Sequence, residues 1–414
     1  MTADVCASPQ LLSFEQALER IDSLVSEVLQ TEKVAIGQAM GRVCGKPVCS
    51  PVYVPPADNS AMDGYAFVHP GEVNPDELAF ELVGESFAGH PFAGNVAPGQ
   101  CVRIMTGGLV PQGCDTVLMQ EDCDFDNGRV RLKRLPKPGN SIRRRGEDID
   151  FGSEVISKGQ VISAVGIGLL SSLGISTVEV SRQVKVAILA SGDELKSPGE
   201  PLNSGEIYES NRISIASMLT RLGCEVLDLG IIADDPDALK AAFAKANREC
   251  DVVISSGGVS VGEADYTKHV LAEIGEIDFY KIAMKPGKPF ACGKLSDSVF
   301  FGLPGNPVSA LVTFMQLAVP GIEAMQGKAK QSRPGFWATA ACDLRKTIGR
   351  RDFQRGVYQF NESGMPGVTS TGAQGSGILT SLAKANCFIV LAAEQGSVKA
   401  GDSVWVEPFP AWLD

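Results

Sequence analysis

Val252-Val-Ile-Ser-Ser-Gly-Gly-Val-Ser-Val-Gly-Glu-Ala-Asp-Tyr-Thr-Lys268 starts as an apolar run and breaks at Gly257-Gly258. It then sets Ser260, Gly262, Glu263, Asp265 and Thr267 close together. An apolar run bounded by glycines predicts a buried strand. Glycine permits a tight turn and lets the backbone approach a ligand. Asp265 is placed to cap the following helix or to sit in its first turn. A strand, a glycine turn and a helix start together present backbone N–H groups to an anion. The neighbouring carboxylates would repel a phosphate unless a cation lay between them.

Outward from this stretch, strands and helices alternate. Strands are expected at 184–189, 225–229, 251–255 and 278–283, and helices at 210–222, 236–247 and 265–274. That alternation implies right-handed βαβ units and a doubly wound, mostly parallel α/β sheet with helices on both faces. Residues 290–294 and 299–303 add a hairpin, and 307–325 form a last helix. Ligands of such sheets lie beyond the carboxyl ends of the strands.

The flanks read differently. Ser13 and Gln16 make a capping box for an amphipathic helix over 13–29, built on Phe14, Ala17, Leu18, Ile21, Leu24, Val25 and Val28. Between 57 and 144, short apolar runs at 80–83, 101–105, 116–119 and 129–132 are divided by Gly, Pro and Asn. This spacing predicts a β-rich unit. A helix follows over 163–173, ending at Gly174. After 330, apolar runs at 353–358, 387–391 and 403–407 predict a small C-terminal β-barrel. The expected organisation is therefore a discontinuous N-terminal helical/β domain (1–50 with 146–182), an inserted β-rich domain (51–145), an α/β domain (183–328) and a C-terminal barrel domain (329–414).

Composition narrows the function. The 414 residues are 44% hydrophobic and 21% charged, ordinary for a chain that buries several cores. A formal net charge of −12 argues against non-specific nucleic-acid binding. No apolar run reaches the ~18 residues of a membrane span. The N-terminus carries neither a charged region nor an apolar leader. The 11 cysteines form no C-x-x-C pair, which predicts reduced thiols and a cytoplasmic setting. His69, His90 and His269 lie far apart, so a zinc site is not expected and any metal should be a hard cation held by oxygen.

Polar loops are expected at the strand ends of the α/β region. They are Ser191-Gly-Asp-Glu-Leu195, Asp234-Asp235, the stretch quoted above, Lys285-Pro-Gly-Lys-Pro289 and Gly302-Leu-Pro-Gly-Asn-Pro-Val-Ser309. Glu194, Asp234, Asp235, Glu263 and Asp265 can give oxygens to Mg²⁺, which takes one or two carboxylates and keeps waters and phosphate oxygens. Lys281, Lys285 and Lys288 can hold an oxyanion, with Pro286 and Pro289 fixing the backbone around the last two. Asp234-Asp235-Pro236 reads equally as a helix start, and Asp265 as a plain cap. Three further motifs lie outside this region: Asn59-Ser-Ala-Met-Asp-Gly-Tyr65 with Asp63, Arg103-Ile-Met-Thr-Gly-Gly108 with Thr106, and Arg143-Arg-Arg-Gly-Glu-Asp148. Each could be a structural loop, and the arginines could pair with Glu147 and Asp148 or clamp an anion.

DNSAMDGYA, RIMTGG, IRRRGEDI, SGDEL, NSGEIYESN, GIIADDP, SSGGVSVGEADYTK, KPGKP and GLPGNPVS occur in this order, followed by DFQRG and GAQGSG. The ordered set spans nearly the whole chain. It resembles the molybdopterin molybdenumtransferase family, bacterial enzymes of the last step of molybdenum cofactor synthesis that are similar to the E domain of gephyrin. The resemblance implies that adenylylated molybdopterin binds, that Mg²⁺ assists release of AMP, and that molybdate enters the dithiolene. It further implies four domains and an elongated homodimer whose sites are completed by the partner subunit. The family's functional residues fall on Asp63, Thr106, Asp148, Glu194, Asp234, Asp265, Lys281, Lys285, Pro304, Pro307, Arg355 and Ser376.

On this resemblance Glu194, Asp234 and Asp265 are expected to hold magnesium. Lys281 and Lys285 would neutralise phosphate or molybdate. Gly257, Gly258, Ser260, Lys288 and Ser309 would line the substrate, Pro304 and Pro307 would shape their loop, and Arg355 and Ser376 would meet anionic groups. The molybdopterin adenylyltransferase and cofactor-accepting proteins are the expected partners. Two departures are visible: TGGLVPQG lacks an Ala-Pro common after the glycine, and Gln374 is not preceded by the usual His. The competing readings are an adenylyltransferase that makes the activated pterin, a scaffold, and a cofactor-binding protein.

Overall fold

In a strand buried on both faces, successive side chains feed two different cores. Val186, Ile188, Val252 and Ile254 join one hydrophobic cluster, whereas Ala187, Leu189 and Val253 join another. The computed structural model describes residues 10–28, 30–74, 78–257, 266–330 and 332–413. Among them a seven-stranded sheet forms from β1 (Gln10–Leu12), β2 (Lys185–Ser191), β3 (Glu225–Ile232), β4 (Val252–Ser256), β5 (Gly275–Ile282), β6 (Pro289–Leu295) and β7 (Val299–Leu303). Its order is β1-β5-β6-β7-β4-β2-β3. Only β6 runs against the rest, because the β6–β7 hairpin inserts one antiparallel strand.

Five helical segments cover this sheet. One face takes α1 (Phe14–Leu24), α2 (Asn211–Arg221) and α5 (Pro307–Thr313) with its continuation to Met325. The other takes α3 (Pro236–Glu249) and α4 (Tyr266–Ile274). The doubly wound architecture therefore stands as expected.

Helix α1 has 11 residues, too few to be stable alone. Packing holds it: Phe14, Ala17, Ile21 and Leu24 are buried against the sheet. Burying each of the large ones contributes about 1.5–3 kcal/mol. The Ser13–Gln16 capping box is present. The helix stops at Leu24, short of the expected 29. Val25 is already extended, and the Val28 N–H donates to the Met325 carbonyl at 2.8 Å. Tertiary pairing ends the helix where periodicity alone would continue it.

The helix over Pro307–Met325 is long and apolar enough to cross a membrane by length and composition, which corrects the expectation that no segment is; 83% of an 18-residue apolar stretch of it is buried inside the protein. Its middle, Phe314–Ala318, widens into a π-helix just before Pro320. Proline gives no N–H and crowds the carbonyl four residues back, so a wider turn relieves the clash.

The remaining sheets flank this unit. Thr31–Ala35 pairs with Thr177–Ser181, and Val48–Cys49 with Glu154–Ile156, joining segments on either side of the β-rich region. That region holds a six-stranded sheet over residues 64–132. In the C-terminal part, Arg351–Phe360 pairs with both Pro366–Ser370 and Cys387–Leu391, closing a five-stranded barrel. Met284–Lys285 adds to that barrel as a short strand beside Arg351 and Asp352. Every described cysteine is free.

Candidate active site

Because β5, β7, β4, β2 and β3 run the same way, the loops after them emerge at one edge of the sheet. With strands ~4.8 Å apart, the four spacings from β5 to β2 make this edge roughly 19 Å long. Gly257, Pro304, Glu194, Asp234, Lys285 and Lys288 all belong to these loops, and Lys281 lies at the end of β5.

The β2–β3 end is acidic. Asp193, Glu194 and Asp234 are exposed, and the Asp234 N–H donates to Asp193 Oδ1 at 3.3 Å. The Asp234 carboxyl is raised above its ordinary range, first by partial loss of solvent and then by the charges of Asp193 and Glu194. Asp235 has a different task. It caps α3, accepting the Ala238 N–H at 2.9 Å, with Pro236 in the first turn. The aspartate pair thus divides: Asp235 holds the helix and Asp234 remains beside two other acids. Among the described residues no three His, Cys, Asp or Glu side chains are already gathered as a metal cage. Adjacent hard carboxylates nevertheless suit Mg²⁺, which completes its shell from water and substrate. Gly258, Ser260 and Asp265 lie outside the described residues.

The middle of the edge is backbone held tightly. Gly257 has φ +91°, and a Cβ there would sit 2.7 Å from the Ser191 carbonyl oxygen, so only glycine fits. Its N–H donates to the Leu303 carbonyl at 3.1 Å, tying the β4 turn to β7. Pro304 is buried, and Pro307 occupies the first turn of α5. Ser309 is 5% exposed. The Val308 N–H donates to the Ser376 carbonyl at 2.9 Å, so a barrel loop docks on the start of α5. Asn211, at the start of α2, bridges these parts: Nδ2 donates to Ser256 Oγ at 3.0 Å and to the Gly305 carbonyl at 2.8 Å.

The β5 end is basic. Lys281 is half-buried and Lys288 exposed. Lys285 faces Asp352 of the barrel, with Nζ 4.0 Å from Oδ2. Asp352 is 2% exposed, and burial raises its carboxyl while Lys285 pulls it back. Gly287 has φ +100°, and a Cβ there would collide with Thr313 Oγ1, locking the KPGKP turn against α5.

Arg355 is buried, at 1% exposure, which pushes its guanidinium down to about 10. Nε donates to Ser381 Oγ at 3.0 Å and Nη2 to the Gly375 carbonyl at 3.2 Å. Gln374 accepts the Arg355 N–H at 2.8 Å. Arg355 therefore stands behind the loop carrying Ser376 and braces it from the barrel interior.

Asp63 and Thr106 form a unit of their own. Asp63 Oδ1 accepts both the backbone N–H and the hydroxyl of Thr106, each at 2.7 Å. These bonds, the backbone one first, hold the Asp63 carboxyl below its ordinary range. Asp148 is exposed, with its N–H on the Val54 carbonyl. Among the described residues, none of the hydrogen bonds of Asp63, Thr106 or Asp148 reaches the sheet edge.

Comparison with known proteins matches this chain piece by piece. Family models match the MoeA N-terminal region (domain I and II) over 12–174, the "Probable molybdopterin binding domain" over 187–324, and the MoeA C-terminal region (domain IV) over 338–409. A molybdopterin molybdenumtransferase from Haemophilus influenzae is 47% identical over 96% of this chain and 99% of its own. The chain belongs to the molybdopterin molybdenumtransferase family. It is an enzyme of molybdenum cofactor biosynthesis. Gephyrin from Dictyostelium discoideum is 32% identical over 94% of this chain and 60% of its own. A crystal structure of the molybdopterin biosynthesis MoeA protein from Pyrococcus horikoshii superposes with TM-score 0.84 at 27% identity, covering 97% of this chain and 100% of that one.

The sequence alone did not mark Asn211, Asp193 or Asp352 as residues of the site. The first lies in NSGEIYESN, the second in SGDEL and the third in DFQRG. The visible hint was their membership of those motifs.

Proposed function

We propose that this sheet edge inserts molybdate into adenylylated molybdopterin and releases AMP. The supporting observation is the order of charge along one edge: carboxylates at β2 and β3, glycine- and proline-shaped loops at β4 and β7, lysines at β5. An extended substrate with a phosphate linkage between two ring systems fits such a line. Glu194 and Asp234, with Asp265, would hold magnesium, which when bound would draw charge from the phosphate linkage. Lys281 and Lys285 would neutralise molybdate and the leaving phosphate, and Asp352 would keep Lys285 turned to the edge. Gly257 and Gly258 would let backbone approach the substrate, with Ser260 and Lys288 beside it. Pro304 and Pro307 would fix the loop before Ser309. Arg355 would hold the 374–377 loop so that Ser376 meets α5.

Asp63, Thr106 and Asp148 would come from the partner subunit of a homodimer and close the site. The setting would be the cytoplasm. The adenylyltransferase that makes the substrate and the apoproteins that take the product would be the partners.

Purified enzyme supplied with adenylylated molybdopterin should release AMP and form cofactor only with both molybdate and Mg²⁺ present. AMP release that persists undiminished in a chelator would overturn the magnesium part. Transfer of AMP from ATP onto molybdopterin would favour the adenylyltransferase alternative.

A further inference from the structure

Asn211 is 8% exposed, and its two ends are treated unequally. Nδ2 donates twice, to Ser256 Oγ at 3.0 Å and to the Gly305 carbonyl at 2.8 Å. A carbonyl at 2.8 Å demands a donor, so the amide nitrogen is fixed on that side. Among the described residues Oδ1 is left buried with no hydrogen-bond partner. An unsatisfied buried acceptor costs about 1–3 kcal/mol, and native interiors rarely keep one without a use. Its place is informative. Asn211 joins the last residue of β4, next to Gly257, to the loop after β7, in the middle of the sheet edge. It is also the first residue of α2, an 11-residue helix whose N-cap Ser210 makes no side-chain cap bond.

We propose that Asn211 is a specificity-determining residue whose Oδ1 accepts an N–H of the pterin ring; this rests on the function proposed above. The acceptor's chemistry excludes much of the substrate. Ionised phosphate and molybdate oxygens carry no hydrogen to donate. The groups that do are the N–H edge of the pterin, the adenine amino group and the ribose hydroxyls. Asn211 falls within the stretch matched by the molybdopterin-binding domain model, 187–324, which favours the pterin. The same side chain sets the spacing of the two loops through Nδ2, so recognition and loop geometry are joined in one amide. A site that pairs a substrate N–H rejects analogues without it, because the acceptor then stays buried and unpaired.

The test uses the full-length enzyme, with molybdopterin as probe for the pterin arm and AMP for the adenylyl arm, by titration calorimetry and thermal unfolding. Wild type should bind both and form cofactor; if it does neither, the proposed function fails and this inference with it. Asn211→Ala should weaken molybdopterin about tenfold, leave AMP within about twofold, and lower kcat/KM mainly through KM. Asn211→Asp keeps an acceptor oxygen but sets it against the Gly305 carbonyl. It should lower the melting temperature yet retain molybdopterin affinity within about threefold of wild type. If Ala and Asp lose molybdopterin equally, or if AMP and molybdopterin weaken together, Asn211 is only a clasp and the inference falls. Loss of AMP affinity alone would place the adenosine there and overturn the pterin assignment.

Discussion

Asp63 and Asp234 are both exposed aspartates at loop positions, and their surroundings treat them in opposite ways. Asp63 accepts two hydrogen bonds from Thr106 and is held below its ordinary range. Asp234 has two acidic neighbours and is pushed above it. The first carboxylate is satisfied within its own unit. The second is left in like-charge company, an arrangement that costs stability unless something positive joins it. Two residues with the same chemistry thus stand in opposite surroundings: one is paired within its own loop, the other is left among like charges.

The largest effect should come from breaking the acidic end. Asp234→Asn removes a charge that the folded protein disfavours, so its melting temperature should equal or exceed that of wild type. Cofactor formation should nevertheless fall about 100-fold or more, the scale of losing one electrostatic contact to a reacting centre. Asp265→Asn should lose cofactor formation on the same scale. An Asp234→Asn protein that keeps full turnover at saturating magnesium would remove the contrast with Asp63.

The next effect tests where Asp63 acts. If it serves the partner's edge, Asp63→Ala and Asp234→Asn chains are each inactive alone. Mixed after joint refolding, they should recover about a quarter of wild-type activity, since half the dimers are mixed and one of their two sites is intact. No recovery from a verified mixture would place Asp63 in its own chain's site or in none.

A smaller and purely structural effect separates Arg355 from both. Truncating a buried guanidinium leaves a cavity and strips Ser381 Oγ and the Gly375 carbonyl of a donor. Arg355→Ala should lower stability by about 2–4 kcal/mol in denaturant unfolding. Arg355→Lys should restore only part, because an ammonium lacks the planar fork. An unchanged midpoint for Arg355→Ala would mean that the brace is not needed.

These contrasts explain what could be read in the residues alone. The α/β unit was legible because its strands are buried on both faces and its helices on one, so period and punctuation coincide: Asp235-Pro236 starts α3, and Pro307 starts α5. The end of α1 was not, since Val25 keeps the apolar spacing while Val28 is captured by Met325. The two charge clusters were visible as loop composition. The inward place of Arg355 was not, because a guanidinium in DFQRG looks the same whether it faces an anion or Ser381. Nor could spacing show that Asn211 would be left with a lone buried acceptor, which depends on a carbonyl at Gly305, far along the chain.

The finest test is acid stability, where the two aspartates should pull in opposite directions. Asp63 has a depressed folded value, so its contribution is present above its ordinary value and is lost as pH falls through the folded one. Asp234 has a raised folded value, so the native state takes up that proton first. Its penalty is present above the raised value and disappears as pH falls to the ordinary one. Urea midpoints for wild type minus Asp63→Ala should therefore shrink on acidification. Those for wild type minus Asp234→Asn should instead move in favour of wild type. Thr106→Val, which removes the hydroxyl and keeps the backbone N–H, should shrink the Asp63 difference without abolishing it, because the backbone bond is the larger cause. If both difference curves slope the same way, the two carboxylates share one environment and their separate roles lose their physical basis.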